Sequence, residues 1–299
     1  MRARFRTLTP SPLLLIFIGL FIISEIAKFV RGDGYWGIID IVLAVVLASA
    51  CAATRHFTSS NIQQPERTAR GRLLPLQLLA CAFVFIATEL SGMHKAVPAV
   101  PAWLHVDLWD KADRFIYELA AQHMSATFAL GVSNLSMYCI PAALLLLALG
   151  VPLSQQGLGR FTRGSAASAV VLLIVPIIMY AYAVASGRAP VGTIVVTWLW
   201  TLLQAGFSEE FLWRGIIFGR LRAIMKAEYA LFLQAALFAS WHAAVDIHGY
   251  HGNIVDAVFD MIASQAMFGL AAGYITLRTG NVALSSAFHT LFDSLSIFQ

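Results

Sequence analysis

The chain has 299 residues, of which 59% are hydrophobic and only 12% charged, with a formal net charge of +4. A soluble domain carries about twice that charged fraction, so a water-soluble globular protein is excluded. The basic excess falls in loops between apolar runs and carries no nucleic-acid signal, and Cys51, Cys81 and Cys139 lie in or beside such runs without metal-ligand spacing, as small core residues do.

A helix needs about 20 apolar residues to cross the hydrocarbon core. Runs of this kind cover residues 13–30, 36–53, 73–88, 128–151, 166–185, 193–218, 229–245, 255–277 and 282–298. Their length without alternation points to helices rather than barrel strands. The expected fold is an all-α polytopic transmembrane helix bundle of about eight to nine spans. Arg2, Arg4 and Arg6 precede the first run as in a signal peptide, but Glu25 and Lys28 near its end and the lack of a small-residue cleavage pattern favour an uncleaved anchor.

Basic residues recur in alternate loops: Arg55, Arg67, Arg70 and Arg72, then Arg160 and Arg163, then Arg220, Arg222 and Lys226, then Arg278. By the positive-inside rule the N-terminus is cytoplasmic and the C-terminus non-cytoplasmic. The compact chain reads as an integral protein of a bacterial inner membrane. Residues 98–125 mix charges with Trp103 and Trp109, the pattern of an amphipathic helix lying on the outer lipid surface. The polar stretch 55–72 separates two leading spans from the rest.

Within the sixth run stands Glu209-Glu210-Phe211-Leu212-Trp213-Arg214. Charge at bilayer depth is expensive and by default marks function. Two later runs each carry a histidine: His242, four residues after Phe238, and His289, four residues before Asp293. Counted from the turns at 226–228 and 279–281, at about 1.5 Å per helical residue, all of these groups fall within a turn or two of one depth. Convergence on one wet cavity is the economical arrangement for polar groups in lipid. Glu210 and Arg214 are spaced i, i+4 with the acid first, the favourable order for a helical pair. That leaves Glu209, about 100° around the helix, free for chemistry. A carboxylate and an imidazole can share one water. The carboxylate takes its proton while the hydroxide attacks a carbonyl, and further polar groups stabilise the oxyanion.

The Glu-Glu-x-x-x-Arg, Phe-x-x-x-His and His-x-x-x-Asp patterns, in this order on hydrophobic helices, resemble the three motifs of the CPBP family of CAAX-protease and bacteriocin-processing (Abi) intramembrane proteases, related to the type II CAAX prenyl endopeptidases. Gly269, Gly273 and Gly280 are similar to the glycine-spaced run before the last motif. The resemblance covers roughly 191–298, and divides the chain into an N-terminal transmembrane region, 1–190, and a protease core, 191–299. It implies an intramembrane endopeptidase acting on a membrane-associated peptide or membrane-anchored protein. In that reading Glu209 and His242 activate the water, His289 and Asp293 form the oxyanion site, and Glu210, Arg214 and Phe238 support them. The prenyl endopeptidases carry Asn where this chain has Asp293, so Asp293 acts either protonated or by orienting His289. The family mechanism needs no metal; zinc held by Glu209, His242 and His289 is the alternative. His248 and His251 read as part of a polar outer turn, and no His-Glu-x-x-His motif is present. A carboxylate and histidine set at mid-membrane also suits a proton-coupled transporter, although the inverted repeats and paired broken helices of that class are not evident in the sequence. A non-catalytic scaffold or immunity relative is a third reading, disfavoured by the intact Glu209, His242 and His289.

Overall fold

The computed structural model describes residues 11–32, 34–58, 73–97, 101 and 103–294. The chain forms α1 (Pro12–Arg31), α2 (Gly34–Phe57), α3 (Leu74–Ala96), α4 (Asp107–Ala121), α5 (Ala126–Ala148), α6 (Arg163–Ala185), α7 (Val191–Ile224), α8 (Ala227–Trp241), α9 (Ala243–Gly249), α10 (Ile254–Thr279) and α11 (Ala283–Asp293). The ends follow local chemistry. Ser11 accepts from the Leu14 N–H ahead of Pro12, and Gly32, at φ 94°, closes α1. Gly280, at φ 70°, closes α10 in the same left-handed manner.

Among the described residues, 7 helices are long and apolar enough to cross a membrane, and α8 with α9, bent by 45°, makes an eighth. The protein is therefore an all-α polytopic membrane bundle. The run at 229–245, expected as one straight span, is this bent pair, and His242 sits at the break. The ninth run contributes α11, 11 residues long, and its tail from 295 lies outside the described residues. So do Arg2, Arg4, Arg6, Arg67, Arg70 and Arg72, and most of the polar stretch 55–72.

Helix α4 matches the expected amphipathic segment, within 98–125, of which 98–100 and 102 lie outside the described residues. Trp109 is buried, edge-on to Phe83, while Leu108 and Phe115 are 79% and 66% exposed on the other side. Exposed apolar groups opposite a packed face suit a helix lying at the lipid boundary. On its polar face the Lys111 ammonium hydrogen-bonds Asp107 at 2.6 Å and holds that carboxyl below its ordinary range.

One buried apolar cluster joins the bundle. It takes Leu43 and Leu47 from α2, Val84 from α3, Leu146 from α5, Leu172 from α6, Trp213 from α7, Phe238 from α8, Phe268 from α10 and Phe288 from α11. Two glycines allow a close approach of backbone to backbone. Gly157 (φ 83°) packs its backbone onto Gly215 of α7, and a β-carbon on either would run into the other's backbone or into the Gln156 carbonyl. A second contact set lies toward the end of α1. The Lys28 ammonium is buried between Asp40 of α2 and Asp260 of α10, 2.9 Å from the latter, and Arg31 pairs with Asp256. These pairs tie the leading hairpin to the start of α10.

Three long helices also contain π turns: Leu135–Cys139 in α5, Leu202–Gly206 and Phe211–Ile217 in α7, and Met261–Ala266 in α10. Such turns add a residue to the helical repeat and redirect the side chains beside them.

Candidate active site

The two π turns of α7 bracket a single α-helical turn, Ser208–Glu210. The Phe207 N–H reaches back to the Leu202 carbonyl at 2.8 Å, an i→i−5 bond, while the Phe211 N–H returns to the α-type bond with Phe207 at 2.8 Å. The two glutamates leave this turn in different directions. Glu209 reaches toward α8, and its Oε2 lies 3.6 Å from His242 Nε2. Glu210 faces the other way, with Oε1 2.9 Å from Arg214 Nη1 and 3.0 Å from His289 Nδ1. The divergence expected for neighbouring helical positions is present.

His242 owes its place to the bend after Trp241. As the residue that ends α8, it turns its ring back over that helix, and Nδ1 lies 2.9 Å from the Phe238 carbonyl. A carbonyl only accepts, so Nδ1 carries the proton. Nε2 is then the nitrogen offered to Glu209. The ring packs against Phe238 and Trp241, with centroids at 4.5 and 5.3 Å.

Arg214 has no exposed side-chain surface, nor has Glu210. The guanidinium lies 4.0 Å above the Phe238 ring and 5.7 Å from Phe268. When desolvated, such a cation–π contact contributes about 2 kcal/mol. Phe238 thus has two jobs: its carbonyl orients His242 and its ring seats Arg214.

His289 lies between two carboxylates. Nδ1 hydrogen-bonds Glu210 and Nε2 lies 3.1 Å from Asp293 Oδ2. With an acceptor on each nitrogen, either the ring carries both protons or one of the two carboxyls carries one. Phe268 packs on the ring at 4.5 Å. Asp293, 40% exposed, is the outermost member of the group.

The structure therefore brings together all seven residues singled out in the sequence: Glu209 with His242, Glu210 with Arg214 and His289, His289 with Asp293, and Phe238 beneath His242 and Arg214. It adds one arrangement the sequence did not reveal. The His289 nitrogens point at Glu210 and Asp293 rather than at a point shared with Glu209 and His242. Among the described residues no group of three or more His, Cys, Asp or Glu side chains is disposed to hold a metal ion.

One neighbour was missed. Tyr138, in the π turn of α5, packs edge-on against Trp241 at 5.1 Å and lies within the field of the Glu209 carboxylate. The available signal was a concentration of polar residues, Ser133, Asn134, Ser136 and Tyr138, inside an otherwise apolar span.

Residues 190–295 match the family model described as type II CAAX prenyl endopeptidase, Rce1-like. Comparison with curated proteins and with solved structures gave no match.

Proposed function

We propose, from the premise that residues 190–295 form a domain of the CAAX-protease (CPBP) family, that this chain is an endopeptidase hydrolysing a peptide bond of a membrane-presented peptide or protein through a water activated by Glu209 and His242. The observation that carries this reading is the 3.6 Å approach of Glu209 Oε2 to His242 Nε2, with Nδ1 already committed to the Phe238 carbonyl. Both facing atoms are acceptors when Glu209 is ionised and the imidazole neutral. A water beside them donates one hydrogen to each, with a lone pair left for a carbonyl carbon. Glu209 takes the proton as the C–O bond forms and returns it to the leaving nitrogen when the C–N bond breaks.

The remaining charges pair off. Arg214 balances Glu210, and His289 joins Glu210 to Asp293, so Glu209 is the carboxylate left over for proton transfer. Asp293 is the most exposed of the group, which supports substrate entry from its side. We read 191–299 as the protease core and 1–190 as a supporting transmembrane region, and the shared buried cluster is consistent with that support. The alternation of basic loops supports a cytoplasmic N-terminus in a bacterial inner membrane. Transporters of the broken-helix kind use a pair of breaks in corresponding halves; among the described residues one bent pair occurs. The test is turnover of a membrane-presented peptide, a prenylated CAAX-type peptide first, by purified protein in liposomes, compared with Glu209→Gln.

The role of Asp293 separates two mechanisms. If a protonated Asp293 donates a hydrogen bond, Asp293→Asn keeps most activity and Asp293→Ala loses more. If Asp293 orients His289 as a carboxylate, Asn and Ala are equally damaging. Its 3.1 Å contact with His289 Nε2 favours the second outcome, and relative kcat values decide. The reaction as derived needs no metal, so activity is expected to survive exhaustive chelation. Stoichiometric zinc whose removal abolishes activity, and whose return restores it, would replace this scheme with a zinc site.

A further inference from the structure

The proposed reaction needs a donor that the three motifs do not supply. As water attacks, the carbonyl oxygen gains charge, and hydrogen-bond donors must already be aimed where it develops. His289 is engaged on both nitrogens, by Glu210 and Asp293. His242 spends Nδ1 on the Phe238 carbonyl. Arg214 and Trp213 carry N–H groups without a hydrogen-bond partner, but both side chains are fully buried away from the Glu209–His242 water, Arg214 between Glu210 and Phe238. The Trp241 indole N–H donates to Thr88 Oγ1 at 3.1 Å.

Tyr138 is uncommitted. Its π turn is held against the Glu209 segment by Cys139, whose sulfur lies 3.6 Å from the Ser208 carbonyl, one residue before Glu209. The phenol ring meets Trp241 edge-on at 5.1 Å, and Trp241 in turn meets His242 at 5.3 Å. The side chain therefore stands on the same side of α7 as the Glu209–His242 pair, in the field of the Glu209 carboxylate. Within the described protein its hydroxyl makes no hydrogen bond. Tyr138 is partly buried, so its hydroxyl is free to meet a group entering beside Glu209.

We propose that Tyr138 is a further catalytic residue, whose O–H donates a hydrogen bond to the oxyanion formed from the scissile carbonyl. This inference rests on the reading of the site as a peptidase. In the attack the water oxygen bonds the carbonyl carbon and its proton passes to Glu209. The carbonyl π pair moves onto oxygen, where the Tyr138 O–H meets it. Collapse breaks the C–N bond, and the Glu209 proton leaves on nitrogen. Tyr138 keeps its own proton throughout. The donor comes from outside the segment that matches the protease family, so the N-terminal region would complete the active site.

The experiment compares wild type, Tyr138→Phe and Glu209→Gln in liposomes. It measures kcat and KM on a cleaved peptide, and the affinities of a phosphinate analogue and an uncleavable N-methyl amide of the same peptide. Phenylalanine keeps the ring on Trp241 and removes only the hydroxyl. Expected for Tyr138→Phe is a kcat loss on the order of 10²-fold, the usual cost of one oxyanion donor, with KM and N-methyl amide affinity unchanged. Affinity for the tetrahedral phosphinate, which carries the oxyanion's charge and shape, is expected to fall in step with kcat. Wild-type kcat and phosphinate affinity in Tyr138→Phe would overturn the assignment while leaving the Glu209 reading intact. A lowered melting temperature in Tyr138→Phe would overturn it too, by giving the hydroxyl a structural role. Full turnover by Glu209→Gln would sink the water-activation reading instead, and the phosphinate-to-amide affinity ratio would then judge Tyr138 alone.

Discussion

Glu209→Gln is expected to lower peptide cleavage on the order of 10²–10⁴-fold, the range that a positioned general base contributes, with the melting temperature held. The amide has the carboxylate's shape but cannot accept the water's proton. Structural damage is expected to be slight because Glu209 is not part of the Glu210–Arg214 pair; its near partner is His242, at 3.6 Å. His242→Ala is expected to show a similar loss, since the water would lose its second acceptor. Combining the two should cost little more than either alone, because groups that act as a unit are not additive. Purified Glu209→Gln that turns over a verified peptide at the wild-type rate would remove the base from this site.

Arg214→Ala is expected to act on the fold first. Glu210 and Arg214 have no exposed side-chain surface, and removing one partner of a buried pair costs roughly 3–5 kcal/mol. His289 would remain beside Glu210, at 3.0 Å, and Phe238 would lose the group lying on its ring. Poor expression and a lowered melting temperature should therefore accompany the loss of activity. Adding Glu210→Gln to Arg214→Ala should recover part of the stability, because the stranded carboxylate is gone. A variant lacking Arg214 that melts like wild type yet cleaves nothing would move Arg214 from architecture to substrate binding.

The bundle was legible because bilayer thickness imposes a run length that composition alone reveals, and among the described residues seven of the nine apolar runs are single helices long enough to span, with the bent pair of α8 and α9 covering an eighth. The site was legible as a common depth, because helical rise converts residue counts from a turn into ångströms. Lateral contacts were not. Glu210 and His289 are 79 positions apart, and nothing in a periodic apolar pattern says which faces of two helices meet. The π turns around Glu209 were equally hidden, since one added residue leaves an apolar run looking the same. The break at His242 was read as continuous helix because Trp241-His242-Ala243 contains no Gly or Pro to announce it. Tyr138 gives no such signal in the sequence, because a tyrosine in a span carries no charge.

The clamp around Lys28 also imposes an order on synthesis. Its two acidic partners, Asp40 and Asp260, lie 12 and 232 positions downstream. The first becomes reachable as soon as the leading hairpin has left the ribosome, and the second only when most of the chain has followed. During that interval the ammonium, in the last turn of α1, travels with only the first of its two acidic partners. The Lys28–Asp260 contact between the leading hairpin and α10 closes only after α10 has been inserted, so the anchoring of the first two spans is completed by one of the later ones.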